Sequence, residues 1–171
     1  ALNQVVDVDY YLPGCPPPAK RIAIAVEAIV KGELPSKGSV IGLEKSVCDE
    51  CPKKKGEKRI VRICRVYEIV PDPEKCLLEQ GIICLGPATR GGCEAQCLSA
   101  NMPCTGCGGP CPNALEQGAA MISALASILG LDEEKETYFD ARKLVDQIKD
   151  PVGTFYKYGL PSSIISKKVK K

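Results

Sequence analysis

The residues best suited to chemistry are eleven cysteines, at positions 15, 48, 51, 64, 76, 84, 93, 97, 104, 107 and 111 of a 171-residue chain that has no histidine. Without histidine the chain lacks the commonest general base and the commonest metal ligand. Any metal is therefore held mainly by thiolates, which select zinc, copper(I) or iron–sulfur clusters. Cys48-x-x-Cys51 and Cys104-x-x-Cys107 are close pairs able to grip one metal centre, and Cys93-x-x-x-Cys97 is a third.

The segment Cys104-Thr-Gly-Cys107-Gly-Gly-Pro-Cys111-Pro follows the ferredoxin pattern, in which closely spaced cysteines end at Cys-Pro. Cys15, Cys51 and Cys111 each precede a proline, which removes one backbone donor beside the sulfur and fixes the turn. Glycines at 14, 91, 92, 106, 108 and 109 let the backbone approach a bulky group. Two structural zinc sites are the plainer alternative. Their usual form is two close pairs about 12–20 residues apart. Here Cys51 and Cys104 are far apart with the single cysteines 64, 76 and 84 and the Cys93–Cys97 pair between, which favours clusters. Cys64 lies in the strand-like Ile60–Val70 segment and reads as a buried, inert thiol. Cys15 is remote from the others and follows a strand, at the end where open α/β sheets bind ligands. It could supply one ligand to a cluster completed by sequence outside this chain.

These cysteines need elements to position them. Gln4–Leu12 is rich in β-branched and aromatic residues and reads as a strand. A helix is expected from about Pro17 or Pro18, with Ile22, Val26, Ile29 and Val30 at helical spacing and Gly32 as its stop. One strand cannot make a sheet, and the helix needs a sheet to cover. Residues 1–34 therefore read as the last β–α unit of a longer α/β domain. The alternative partner within the chain is Val61–Val70. Residues 35–112 hold ten of the cysteines and many Gly and Pro, so long elements are not expected there. Such a segment needs cross-links or metal to hold it. Asn113–Leu129 reads as a helix with Asn113 as cap and Glu116 three residues later. A second helix is expected from about Asp132 or Glu133 to Lys149, stopped by Pro151. The tail 152–165 has apolar anchors without a period, and the final Lys-Lys-Val-Lys-Lys reads as a solvated end.

Composition excludes several classes. The 23 basic and 21 acidic residues leave a net charge of only +2, which argues against nucleic acid as a main partner. No apolar run approaches the ~18–20 residues of a membrane span. The odd cysteine count and the 26% charged residues argue against a pure disulfide framework.

The Tyr-Tyr-Leu-Pro-Gly-Cys-Pro-Pro-Pro segment at 10–18 resembles the late ligand motif of [NiFe]-hydrogenase small subunits. So do Cys76-Leu-Leu-Glu-Gln-Gly-Ile-Ile-Cys84-Leu-Gly-Pro and Pro103-Cys104-Thr-Gly-Cys107. The Gly86–Arg90 and Asp150–Tyr156 stretches are similar to the F420-non-reducing (methyl-viologen-reducing) branch of methanogens. The resemblance implies an α+β chain: the end of a flavodoxin-like α/β domain (1–34), then a loop-rich, partly helical iron–sulfur domain (35–171). It implies two complete [4Fe–4S] clusters and a share in a third. Cys48, Cys51, Cys76 and Cys84 would bind the distal cluster. Cys93, Cys97, Cys104 and Cys107 would bind the medial one, with Cys111 as a possible substitute for Cys97. Cys15 would be the last ligand of a proximal cluster, and Cys64 would be spare.

The implied function is electron relay, with no catalytic residue here. H2 would be oxidised on a large subunit carrying the nickel–iron centre. Electrons would leave to an iron–sulfur adaptor protein and heterodisulfide reductase, in the cytoplasm. Two alternatives stand beside it: the small subunit of F420-reducing hydrogenase, and a zinc-stapled interaction module. Many family members carry histidine at the position of Cys48 and proline near Cys97, so this chain would need all-cysteine sites. The family's N-terminal ligands are not in this sequence. The basic stretch Lys53–Arg59 directly follows Cys51. It reads first as a solvated loop, and second as a docking site for an acidic partner.

Overall fold

In the computed structural model the described residues are 1–56, 59–129 and 142–166. Among the described residues regular structure is sparse and most are turn and loop, as the Gly and Pro content demands.

Strand β1 is Tyr10–Tyr11 and pairs in parallel with β2, Ser39–Val40, in the register Tyr10 to Ser39 and Tyr11 to Val40. Helix α1, Ala19–Lys31, supplies the crossover that parallel pairing requires. It starts after Pro18 and stops at Gly32, which adopts the left-handed conformation of a C-cap. The strand is far shorter than the expected Gln4–Leu12. Leu2–Gln4 forms a single helical turn, and Val5 and Val6 are exposed with no strand beside them. Nor does 61–70 pair with β1. Among the described residues it makes one isolated bridge, Cys64 to Ile82, with a second just before it, Ile60 to Leu129.

Helix α1 is turned in an unusual way. Its buried residues are Arg21 and Ala25, whereas Ile22, Val26, Ile29 and Val30 are 44–80% exposed. An apolar stripe of this kind normally faces a core.

The core lies in the second part of the chain. Val47, Ile60, Ile63, Leu77, Leu78, Ile82, Leu85, Met121, Leu125 and Phe155 pack together, with Cys84 and Cys104 among them. Helix α2, Gln96–Ser99, is a single turn after Cys93. Helix α3, Gln117–Ala126, packs on the Gly86–Ala88 turn, and helix α4, Pro151–Phe155, packs on α3. The α3 boundary differs from expectation: Glu116, not Asn113, is the N-cap, its carboxylate accepting from the Ala119 N–H at 2.6 Å. Asn113 instead accepts from the Cys111 thiol. Of the helix expected to end at Lys149, residues 130–141 lie outside the described residues. Arg142–Val145 is helical, with Leu144 buried. The Lys-Lys-Val-Lys-Lys end is also outside the described residues.

Candidate metal centres

Cys48 sits in a single helical turn, Val47–Asp49, started by Ser46. The Asp49 carboxylate accepts from the Ser46 N–H at 2.7 Å and from its hydroxyl at 2.8 Å, which fixes the turn. Cys51 follows, its N–H donating to the Cys48 carbonyl at 3.4 Å. The Lys54 N–H donates to Glu74 and the Cys76 N–H to Lys54, so Cys76 is stitched beside the Cys48–Cys51 turn. The loop from 76 to 84 is held by one side chain. Gln80 accepts from the Asp72 N–H at 2.7 Å and donates to the carbonyls of Asp72, Lys75 and Cys76.

These contacts gather a first set. Cys84 is buried, with Cys48 and Cys76 near enough for their charges to act on it. Cys51 is half-buried against the same core. Burial pushes the Cys84 thiol up to about 11, against the pull of the Gly86 and Cys104 N–H groups.

The second set surrounds Cys107, which faces Cys93 and Cys97. Burial raises the Cys107 thiol, and the Cys15 N–H donates to its sulfur. Cys104 neighbours both Cys107 and Cys84, and burial pushes its thiol up to about 12. Its own N–H donates to the Cys84 sulfur at 3.3 Å. One backbone step at Cys104 therefore joins the two sets.

Buried Gln117 on α3 fixes the Cys104–Gly109 loop. Its amide nitrogen donates to the Thr89 hydroxyl at 2.9 Å and to the carbonyls of Gly106 and Gly109, each at 3.0 Å. Thr89 in turn donates to the Leu85 carbonyl at 2.6 Å. The loop carrying Cys93 is held from the other side. Arg21 on α1 donates to the Gly91 carbonyl, and the Gly92 N–H donates to Glu50 at 2.7 Å.

Three cysteines remain. Cys15 is exposed and lies beside Cys107, on which its thiol acts together with those of Cys93 and Cys97. Cys111 is buried with its thiol turned to Asn113 at 3.0 Å, and is not among the thiols facing Cys107. Cys64 is buried at the bridge to Ile82.

In the basic stretch Lys54, Lys55 and Arg59 are exposed, as a solvated loop predicts, and Lys53 departs from that reading. Lys53 is only 5% exposed and donates to the Pro73 carbonyl at 2.8 Å and the Asn101 side chain at 2.7 Å. Lys54 pairs with Glu74 at 2.6 Å, and Lys55 donates to the Cys48 carbonyl at 2.5 Å. Lys53 thereby braces the chain after Cys51 against residues 73 and 101, while Lys54 and Lys55 make their contacts at the surface. Residues 57 and 58 lie outside the described residues.

No three Cys, Asp or Glu side chains among the described residues close tightly enough on one point to hold a single ion. The surroundings suit a larger, sulfur-rich group. The donors in both sets are thiolates, and backbone N–H groups point at the sulfurs of Cys84, Cys104 and Cys107. Such N–H groups tune iron–sulfur centres. A Cβ at Gly86 would stand 3.1 Å from the Cys48 sulfur and 3.6 Å from that of Cys84, so the absent side chain keeps this cradle open.

The positioning residues Arg21, Gln80, Thr89 and Gln117 escaped the sequence reading. Their signal is weak: a polar residue among apolar neighbours, close in sequence to a cysteine or to the glycines flanking one.

No family model matches the chain. It is 45% identical to the F420-non-reducing hydrogenase iron-sulfur subunit of Archaeoglobus profundus, over 99% of this chain and 53% of that one. It is 41% identical to the like-named F420-non-reducing hydrogenase subunit of Methanothermobacter marburgensis, over 99% of this chain and 54% of that one. A shorter relative, the F420-non-reducing hydrogenase subunit of Methanothermus fervidus, is 43% identical over 72% of this chain and 98% of its own length. The chain spans about half the length of the first two.

Proposed function

The chain belongs to the family of these F420-non-reducing hydrogenase subunits, and we propose that it serves there as an electron relay. In this reading Cys48, Cys51, Cys76 and Cys84 hold one [4Fe–4S] cluster. Cys93, Cys97, Cys104 and Cys107 hold a second, and Cys15 contributes to a third. Such a cluster, when bound, takes up and gives back one electron at a time. The chain's own residues supply thiolates, N–H donors to the sulfurs and a buried environment. None has to act as acid, base or nucleophile.

The observation that carries the reading is the join at Cys104. A ligand of one set donates its N–H to a sulfur of the other at 3.3 Å. Two all-thiolate sets so linked form a path, whereas two structural metal staples need no such contact. The assignment of Cys97 over Cys111 to the second set is supported by the Cys111 thiol being engaged with Asn113.

The exposed apolar stripe of α1 supports the further reading that residues 1–34 end a flavodoxin-like domain, whose sheet would cover Ile22, Val26, Ile29 and Val30. In the working complex the electrons come from H2 oxidised at the nickel–iron centre of a large subunit. They pass to an iron–sulfur adaptor protein and heterodisulfide reductase, in the cytoplasm. No helix among the described residues is long and apolar enough to cross a membrane.

Iron, acid-labile sulfide and zinc per chain, measured on anaerobically purified protein, test the proposal. About eight irons and eight sulfides are expected from two complete four-cysteine clusters. About two zincs with little iron would overturn it and leave a structural module.

A further inference from the structure

Helix α1 carries no cysteine, yet its buried side chain reaches two cysteine loops. Arg21 is 5% exposed. Its guanidinium donates to the Pro13 carbonyl at 2.7 Å and to the Gly91 carbonyl. Each of these carbonyls lies two residues before a cysteine, Cys15 in one case and Cys93 in the other. A guanidinium is a rigid planar fork, so a residue spanning two carbonyls fixes their separation in a way that a flexible ammonium does not.

The surroundings are built for this contact. Gly92 has φ +104, and a Cβ there would collide with the Arg21 guanidinium. The Gly92 N–H is tied to Glu50 at 2.7 Å, and Lys20, the neighbour of Arg21, pairs with Glu94 at 2.5 Å. The loop 91–94 is thus gripped by α1 at two points and by Glu50 at a third. On the far side of the same junction the Cys15 N–H donates to the Cys107 sulfur.

We propose that Arg21 is a positioning residue that sets the spacing between the centre to which Cys15 belongs and the centre held by Cys93, Cys97, Cys104 and Cys107. The inference rests on the relay reading. The step it controls is the passage of one electron from the reduced centre at Cys15 to the oxidised centre beside it. No bond forms or breaks, and no proton is required. Electron transfer of this kind weakens steeply with distance. A clamp on the two loops therefore acts on the rate without touching either set of ligands.

The test uses the full-length subunit in complex with its large subunit, prepared anaerobically as wild type, R21M, R21K and G92A. Iron and sulfide are counted first. Electron paramagnetic resonance of the dithionite-reduced complex then reads the magnetic interaction between neighbouring centres, which depends on their spacing. R21M and G92A are expected to keep their iron and lose the interaction splitting. R21K, which keeps the charge but not the fork, should retain part of it. G92A disturbs the guanidinium without removing it, so it serves even if R21M fails to fold. Unchanged splitting in both R21M and G92A would overturn the proposal. So would loss of iron from folded R21M and G92A, which would make Arg21 a residue of assembly. Absence of iron from the wild type would instead overturn the relay reading itself, and this inference with it.

Discussion

Replacing Gln117 by glutamate is a near-isosteric change with a large expected effect. The Gln117 amide is 6% exposed and donates to three oxygens: Thr89 at 2.9 Å, and Gly106 and Gly109 at 3.0 Å each. Both carbonyls keep one other bond, from the Gly109 N–H at 3.1 Å and the Arg90 N–H at 3.0 Å respectively. Gln117→Leu removes the donors but strands neither carbonyl completely, so its cost is about 1–3 kcal/mol. Gln117→Glu puts a buried carboxylate against two carbonyls and a hydroxyl whose proton already goes to the Leu85 carbonyl, a cost of about 3–5 kcal/mol while it stays charged. The new carboxyl escapes part of that cost by keeping a proton, so its pKa rises above the usual value of about 4.3. A group with a raised folded-state pKa contributes stability below its unfolded pKa and loses it as pH rises through the folded one. Gln117→Glu should therefore be the weaker variant at about pH 8 and approach Gln117→Leu at about pH 5, by about 1.4 kcal/mol for every tenfold gain in the carboxylate's proton affinity. Anaerobic urea unfolding, followed by circular dichroism and by bleaching of visible absorbance, measures both variants against wild type. Equal stability of the two variants at the higher pH, or no narrowing of the gap at the lower one, would refute the buried-donor argument.

Three further outcomes follow from the same geometry. Burial pushes Cys84 up to about 11 and Cys104 up to about 12 from an ordinary 9.0. The iron-free chain should thus hold its stability below about pH 9 and lose it as pH rises through these values, by about 3 kcal/mol for Cys84 alone, read as a falling thermal midpoint. Gly86→Ala places a methyl group 3.1 Å from the Cys48 sulfur, where a metal-bound thiolate has little room to yield. Iron should fall from about eight to about four per chain, with the second set intact. Cys111→Ser should keep its full iron content and spectrum. Cys97→Ser should leave a second set with three thiolates and an altered paramagnetic resonance signal; the reverse pattern would exchange the roles of the two residues.

What the sequence made legible was mostly punctuation. Pro18 and Gly32 bracket α1 because proline suits a helix start and glycine a left-handed stop, and both signals are local. The strand and the α3 cap were misread for a different reason. Val5 and Val6 have the composition of a strand, but a strand exists only where a neighbour offers hydrogen bonds, and the neighbour here is two residues long. Asn113 has the chemistry of a cap, but the buried Cys111 thiol engages its side chain, and Glu116 caps the helix in its place. Both errors are cases of tertiary partners overriding local preference.

The cysteine sets show the complementary limit. Spacing identifies close pairs such as Cys48 and Cys51, because three residues of chain cannot separate them far. It says nothing of how Cys84 comes to lie beside Cys48, thirty-six positions earlier in the chain. That approach depends on side chains bonded to backbone: Gln80 across 72–76, Gln117 across 106–109, Arg21 across 13 and 91, and Lys53 to 73. Where helices and strands are scarce, backbone groups near a site must find side-chain partners or remain unpaired. The lysine at 53 shows how far this departs from composition, since a residue in the most basic run of the chain is among the most buried polar groups. In a loop-built site of this kind, the polar residues between the ligands determine the geometry. They are the positions at which a conservative-looking exchange, such as Gln117→Glu or Arg21→Lys, should have effects that its chemistry alone would not suggest.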